Sequence, residues 1–260
     1  MSLGPAQLER YARHIVLREI GGPGQRRLRA ARVLVVGAGG LGCPALLYMA
    51  AAGIGALGIV DDDAVALSNL QRQILYGVAD IGAPKVDRAA AALARLDPDI
   101  AVEPHALRLD AGTAAALIPR YDVVLDGTDN FATRYVVNGV CVAAGKPLIS
   151  AAMGQWEGQL GLYHPAGGGP CYQCLFPEAP APGLAPSCAE AGVIGALPGV
   201  MGAMMALEAI KLIARTGGDL RGRLLIYDAL HADMRRIGIR ARDDCEVCRG
   251  MGLQKPAAVR

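Results

Sequence analysis

With 260 residues, 53% of them hydrophobic but few aromatic, and a net charge of +2, the chain has material for one large core of Ala, Val, Leu and Ile. The near-neutral charge argues against nucleic-acid binding, which needs a dense basic patch. The polar start, Met1 to Ala12, is not a leader peptide, and the longest apolar run, between Val193 and Leu207, is too short for a bilayer and is broken by Glu208 and Lys211; a cytoplasmic protein with no membrane partner is expected.

In chain order, residues 7–20 read as an opening helix, ended by Gly21, Gly22, Pro23 and Gly24, with 26–30 a second short helical piece. Residues 33–36 are apolar and rich in β-branched side chains, as expected of a strand buried on both faces. Gly37, Gly39 and Gly42 follow as G-x-G-x-x-G, 41–52 form a helix, and a second apolar strand, 57–60, ends on Asp61. This is a β-α-β unit with an acidic tip about 20 residues past the glycines. Glycines let backbone N–H groups and a helix N-terminus approach phosphates, and a carboxylate at that tip accepts hydrogen bonds from a ribose. NAD is the default ligand of such a pattern; a glycine turn serving only helix packing is the bland alternative.

Beyond Asp61 runs a polar loop, then a helix over 84–96 with Lys85 in its first turn, a strand over 100–109, a short helix over 113–118, and a buried strand over 122–126 ending at Gly127, Thr128, Asp129 and Asn130. A helix over 131–144 and a strand over 147–151 complete an alternation that implies a Rossmann-like, mostly parallel sheet with helices on both faces. Ligands on such sheets lie at the carboxyl ends of the strands, so the glycine loop, Asp61 and the 126–130 segment converge on one crevice. After Gly154 the pattern changes: 155–164 alternates like an antiparallel strand, 170–186 is a Pro- and Cys-rich loop, 193–215 is a long apolar helix, and 223–227 and 231–239 are two further strands. The expectation is one domain over 1–260, with a nucleotide-binding half over about 1–153 and an altered half over about 154–260 extended by antiparallel strands.

Seven cysteines in a long chain do not read as a secreted disulfide framework. Cys43 and Cys141 sit in apolar helical stretches as core residues. Cys171, Cys174, Cys245 and Cys248 form two C-x-x-C pairs, and two such knuckles make a tetrahedral four-thiolate zinc site that pins the C-terminal segment. A redox dithiol or four unligated thiols is the alternative reading.

The most specific stretch is Asp61-Asp62-Asp63 followed by Ser68-Asn69-Leu70-Gln71-Arg72-Gln73. Adjacent carboxylates suit a ribose and a metal ion better than a nicotinamide. Arg72 and Lys85 are cations for phosphates, Asn69 and Gln73 neutral arms, and Asp129 a carboxylate for Mg²⁺. Together they describe a triphosphate pocket, although each alone reads as part of a solvated loop.

G-A-G-G-L-G, D-x-D-x-V-x-x-S-N-L-Q-R-Q, the P-K pair, D-x-T-D-N and the paired C-x-x-C, in that order, resemble the ubiquitin-activating-enzyme-like superfamily, and within it the bacterial MoeB/ThiF group. The resemblance implies ATP, Mg²⁺ and Zn²⁺ as ligands, and a ubiquitin-like sulfur carrier protein ending in Gly-Gly as substrate. The carrier carboxylate attacks the α-phosphate, giving an acyl-adenylate and pyrophosphate. It also implies that Asp61 holds the ribose, that Gly37, Gly39, Gly40 and Gly42 approach the nucleotide, and that Asn69, Arg72 and Lys85 contact phosphates, with Asp63, Ser68, Leu70, Gln71, Gln73 and Asn130 beside them. Asp129 positions Mg²⁺. Arg13 matches an arginine donated across a homodimer, though its spacing alone reads as a solvated helix position. Cys188, in P-S-C-A-E-A-G-V, stands where relatives carry a cysteine that links covalently to the carrier; an unreactive loop thiol is the alternative. Sulfur would come from a separate sulfurtransferase or desulfurase. The Pro-rich loop favours the branch serving molybdopterin synthesis (MoaD-like carriers) over the thiazole branch (ThiS-like). Competing readings are adenylation of a modified tRNA base or a peptide, an NAD-dependent oxidoreductase, which has no use for Arg72, Lys85 and Asp129 together, and a zinc-pinned scaffold.

Overall fold

A computed structural model describes residues 3–181 and 191–249. In chain order these form α1 (Pro5–Arg10), α2 (Ala12–Ile15), α3 (Gly21–Ala30), β1 (Arg32–Val36), α4 (Gly42–Ala51), β2 (Ala56–Val60), α5 (Lys85–Leu96), β3 (Ala101–His105), α6 (Ala111–Leu117), β4 (Val123–Asp126), α7 (Phe131–Ala143), β5 (Leu148–Met153), β6 (Glu157–Tyr163), α8 (Tyr172–Leu175), α9 (Ala196–Ala214), β7 (Arg223–Asp228) and β8 (Asp233–Gly238). The strands make one sheet in the order β3-β2-β1-β4-β5-β6-β7-β8. The first five are parallel. β6, β7 and β8 add on antiparallel.

Strand periodicity explains the layers. Val33 and Val35 of β1 point into a core shared with Leu28 of α3, Leu46 and Met49 of α4, Val86 and Leu93 of α5, and Met201 and Met205 of α9. Leu34 and Val36 point the other way, against Ala114 and Leu117 of α6 and Val137 and Cys141 of α7. A strand sandwiched between helical layers has no polar face, which is why β1 and β2 read as unbroken apolar runs. The chain leaves β1 toward β2 and β3, then returns to add β4 on the other side of β1. That reversal opens the crevice at the carboxyl ends of β1 and β4.

Four expectations are corrected. The opening helix is two helices broken at Tyr11, because the Tyr11 ring is buried and its hydroxyl donates to Asp97 Oδ2 at 2.7 Å. Gly21 to Gly24 begin α3 rather than end a helix; Pro23 stands in its first turn, where a missing N–H costs nothing. β3 stops at His105, since the Leu107 N–H turns back onto the His105 carbonyl at 2.9 Å and sends the next residues into the crevice. The apolar run expected to be too short for a bilayer lies in α9, which matches the helix expected over 193–215 and, at 19 residues, is long and apolar enough to cross a membrane. Here it lies against α4, β5 and β6 with half of its apolar window buried, and Glu208, itself buried, pairs with Lys211.

Candidate functional site

Register builds the site. His105, Val60, Val36, Asp126 and Ser150 stand side by side across β3, β2, β1, β4 and β5. The residues that follow the β2, β1 and β4 members of that row, Asp61, Gly37 and Gly127, therefore emerge at one level. Gly37 has φ +91, and a Cβ there would meet the Gly127 carbonyl at 3.1 Å. Gly42 comes closer still: a Cβ would fall 1.9 Å from the Gly37 oxygen. The glycines thus let the turn and the start of α4 pack against the β4 tip, and above them lies a crevice of about 1120 Å³.

Of the residues expected to bind nucleotide, Gly37, Gly39, Gly40, Asp61, Asp63, Asn69, Arg72, Gln73, Lys85, Asp129 and Asn130 line this crevice. The Asp61 carboxylate accepts from the Ala38 N–H at 2.7 Å and the Asp63 N–H at 2.9 Å, so it pins the glycine turn. Burial raises its pKa, opposed by Lys85 and these two N–H groups. Lys85 is almost fully buried; its Nζ lies 2.7 Å from Asp63 Oδ2 and 3.9 Å from Asp61 Oδ1. Arg72 donates to the Ser68 carbonyl at 3.1 Å, which orients its guanidinium. Asn130 caps α7 by accepting from the Thr133 N–H at 2.9 Å, and Asp129 stands exposed on the rim.

Gly42, Ser68, Leu70 and Gln71 do not line the crevice. They act beneath it: Gly42 by close packing, Ser68 through its carbonyl, Leu70 by packing on the core, and Gln71 by abutting Gly195. Arg13 is exposed on α2 and does not line this chain's own crevice. Cys188 lies outside the described residues.

Several crevice residues escaped sequence reasoning. Arg134 is buried; it donates to Ala151 O at 2.8 Å, Ser150 Oγ at 3.3 Å and the Thr128 carbonyl. Beneath the lining, Asp126, in the 126–130 segment already expected at the crevice, is fully buried and accepts from Thr128 Oγ1 at 2.6 Å and Ser150 Oγ at 2.9 Å. Together they stiffen the loop that carries Asp129. The signal was present: Arg134 lies four residues past the helix cap Asn130, one turn back toward the strand tip. Arg108, Tyr163, Tyr172 and Phe176 also line the crevice and have no motif of their own.

Cys171, Cys174, Cys245 and Cys248 are all buried, with their ligand atoms within 4.8 Å of one another. Sulfur separations of 3.8 Å (171–174), 3.6 Å (171–245) and 3.4 Å (174–248) compare with about 3.8 Å for a tetrahedron of about 2.3 Å Zn–S bonds. Hydrogen bonding from Cys171 and from the Arg242 N–H holds the Cys174 thiol below the usual range. Four convergent, buried thiols fit a structural zinc ion with no open position. The knuckle also sets α8, whose Tyr172 packs edge-on to Tyr163, centroids 5.4 Å apart, and against Phe176, 4.9 Å. These rings line the crevice beside β6. Cys43 and Cys141 are core residues, their thiols pushed up by burial.

A parallel sheet reversing at β1 and β4, with a glycine turn, a carboxylate and two cations at the reversal, defines a nucleotide-binding α/β protein. More particularly, the chain belongs to the ThiF family, whose profile matches residues 11–247. It is 49% identical over 248 residues to the SAMP-activating enzyme E1 of Haloferax volcanii, covering 95% of this chain and 91% of that one. It is 48% identical to the sulfur carrier protein adenylyltransferase of Thermus thermophilus, covering 93% and 91%. At 52% identity it matches the adenylyltransferase and sulfurtransferase MOCS3 of Bos taurus, spanning 54% of that longer protein. Among solved structures, E. coli MccB crystallised with MccA-N7isoASN superposes with a TM-score of 0.82 at 25% identity, covering 92% of this chain and 74% of that one.

Proposed function

We propose that this protein is an ATP-dependent adenylyltransferase that activates the C-terminal Gly-Gly carboxylate of a ubiquitin-like sulfur carrier as an acyl-adenylate, with release of pyrophosphate. The observation that carries the reading is the convergence of Gly37–Gly40, Asp61, Arg72, Lys85 and Asp129 on one crevice. The relatives named as adenylyltransferases support it.

Such a reaction asks little covalent chemistry of the protein; it needs alignment and neutralisation of growing phosphate charge. In this reading Asp61 accepts from the ribose, the glycine-turn N–H groups face the phosphates, and Arg72, Lys85 and Asn69 neutralise and hold them. Asp129, exposed at the rim, would hold a magnesium ion, which when bound screens phosphate charge. The carrier tail has a path as well. From Leu224 and Gln159 in the crevice, the same sheet face runs through Ile226 to Arg235 and Ile237 of the exposed strand β8. A carrier body on that face can thread its tail past Tyr172 and Phe176 to the α-phosphate. The pathway assigned is molybdopterin synthesis, in the cytoplasm, with sulfur supplied by a separate sulfurtransferase or desulfurase and with Arg13 reaching the crevice of a second copy in a homodimer. Residues 1–260 act as one domain.

ATP–pyrophosphate exchange with Mg²⁺, run against a panel of Gly-Gly-ended carriers and a no-carrier control, tests this. Exchange with a molybdopterin-type carrier alone supports the reaction and branch; exchange with a thiazole-type carrier too means a shared activator. No exchange with any carrier, in zinc-loaded dimeric protein, overturns the carrier assignment. The likeness to MccB, crystallised in complex with N-formylated MccA, makes an MccA-like molecule the second substrate to test.

A further inference from the structure

Asp63 sits at the mouth of the crevice with its side chain 67% exposed, yet it grips the most buried cation of the site. The Lys85 side chain is only 5% exposed. Its main-chain N–H donates to the Asp63 carbonyl at 3.0 Å, and its ammonium donates to Asp63 Oδ2 at 2.7 Å. The same ammonium stands 3.9 Å from Asp61 Oδ1, beyond hydrogen-bond distance. Asp61 already spends one lone pair on Ala38 and one on Asp63, both main-chain N–H groups. A buried ammonium seeks a carboxylate, because an uncompensated charge there is costly. Without Asp63, the nearest carboxylate to Lys85 is Asp61.

We infer that Asp63 is a positioning residue which holds Lys85 off Asp61, so that Asp61 remains free to accept from a ribose hydroxyl while Lys85 keeps its other N–H groups for phosphate. This rests on the adenylyltransferase reading and assigns Asp63 a task other than touching the nucleotide. It also separates two properties usually lost together. Replacing Asp63 by Asn removes the carboxylate charge but leaves the main-chain N–H to Asp61 and the carbonyl to Lys85, so the loop keeps its backbone contacts. Lys85 then closes onto Asp61 and competes with the ribose.

The test is binding of ATP, 2′-deoxy-ATP and 3′-deoxy-ATP to the zinc-loaded full chain by calorimetry, for wild type, Asp61→Asn, Asp63→Asn and Asp63→Glu. The wild type should prefer ATP over at least one deoxy analogue by about tenfold, the weight of one hydrogen bond to a charged group. Asp61→Asn should erase that preference. Asp63→Asn should erase most of it as well, to within about threefold, and Asp63→Glu should restore it. A merely structural role for Asp63 would weaken all three nucleotides equally. Wild-type preference in Asp63→Asn overturns the inference, and so does loss of preference in Asp63→Glu, since the carboxylate would not be the operative group. A wild type that binds ATP without any ribose preference also overturns it while leaving adenylation standing. A wild type that binds no ATP overturns the adenylation reading and this one with it.

Discussion

Gly42 and Asp129 show two opposite ways in which a single residue serves the crevice. At Gly42 the requirement is absence of a side chain, since a Cβ would overlap the Gly37 carbonyl 1.9 Å away and the neighbour is main chain. Gly42→Ala should destabilise the fold by about 1–3 kcal/mol, measured by urea unfolding, and should weaken ATP binding in whatever protein remains folded. Asp129 is exposed and makes its contribution only when ligand arrives. Asp129→Ala should keep the wild-type melting temperature while lowering ATP–pyrophosphate exchange by at least about 100-fold; near-normal exchange would remove the magnesium assignment. The sequence named both residues, because glycine spacing and a D-x-T-D-N tip are local patterns. It did not name Arg134, whose value depends on Thr128, Ser150 and Ala151 closing around it.

At the scale of elements, two anchors hold parts that have little core of their own. Four residues long, α8 is set by the cysteine cluster, which in turn holds Tyr172 and Phe176 in the crevice. Stripping zinc with a strong chelator should lower the melting temperature by roughly 10 °C and reduce affinity for the carrier more than for ATP, with metal analysis giving about one zinc per chain before treatment. The α1 and α2 helices are held by Tyr11, which fits where Gly53 has φ +81 and no Cβ, and donates to Asp97. Burial, then that hydrogen bond, pushes the Tyr11 pKa from 10.0 to about 12. The folded state therefore keeps a proton that the unfolded chain loses. Its stabilisation is complete below pH 10.0 and is lost as pH rises toward about 12. Tyr11→Phe should flatten that alkaline fall, as followed by circular dichroism during urea titrations at stepped pH. Sequence periodicity found most helices and strands within a few residues, but it ran one helix through Tyr11, since nothing local marks a side chain that will be buried.

For the whole molecule, Arg13 poses the sharpest question, because it is exposed and lies outside its own chain's crevice. In the homodimer reading, Arg13→Ala and Arg72→Ala should each be inactive in ATP–pyrophosphate exchange, yet a refolded equal mixture should recover about a quarter of wild-type activity, as half the dimers then hold one intact site. No recovery would remove the cross-dimer role of Arg13, and an active Arg13→Ala enzyme would place it outside the catalytic apparatus. The sequence by itself determined the alternation of strands and helices, the glycine turn, the acidic tips and the two thiol pairs, since each is written within about 30 residues by hydrophobic period or motif. Only the tertiary structure decided which of those tips share a level, that β3 ends early to send Arg108 into the crevice, and that Asp63 rather than Asp61 takes Lys85. Those outcomes depend on strand register and on contacts between distant residues: Tyr11 meets Asp97 across 86 positions, and Cys174 meets Cys248 across 74. A local pattern sets what a segment can become, whereas the partner that holds it is chosen only when the core closes.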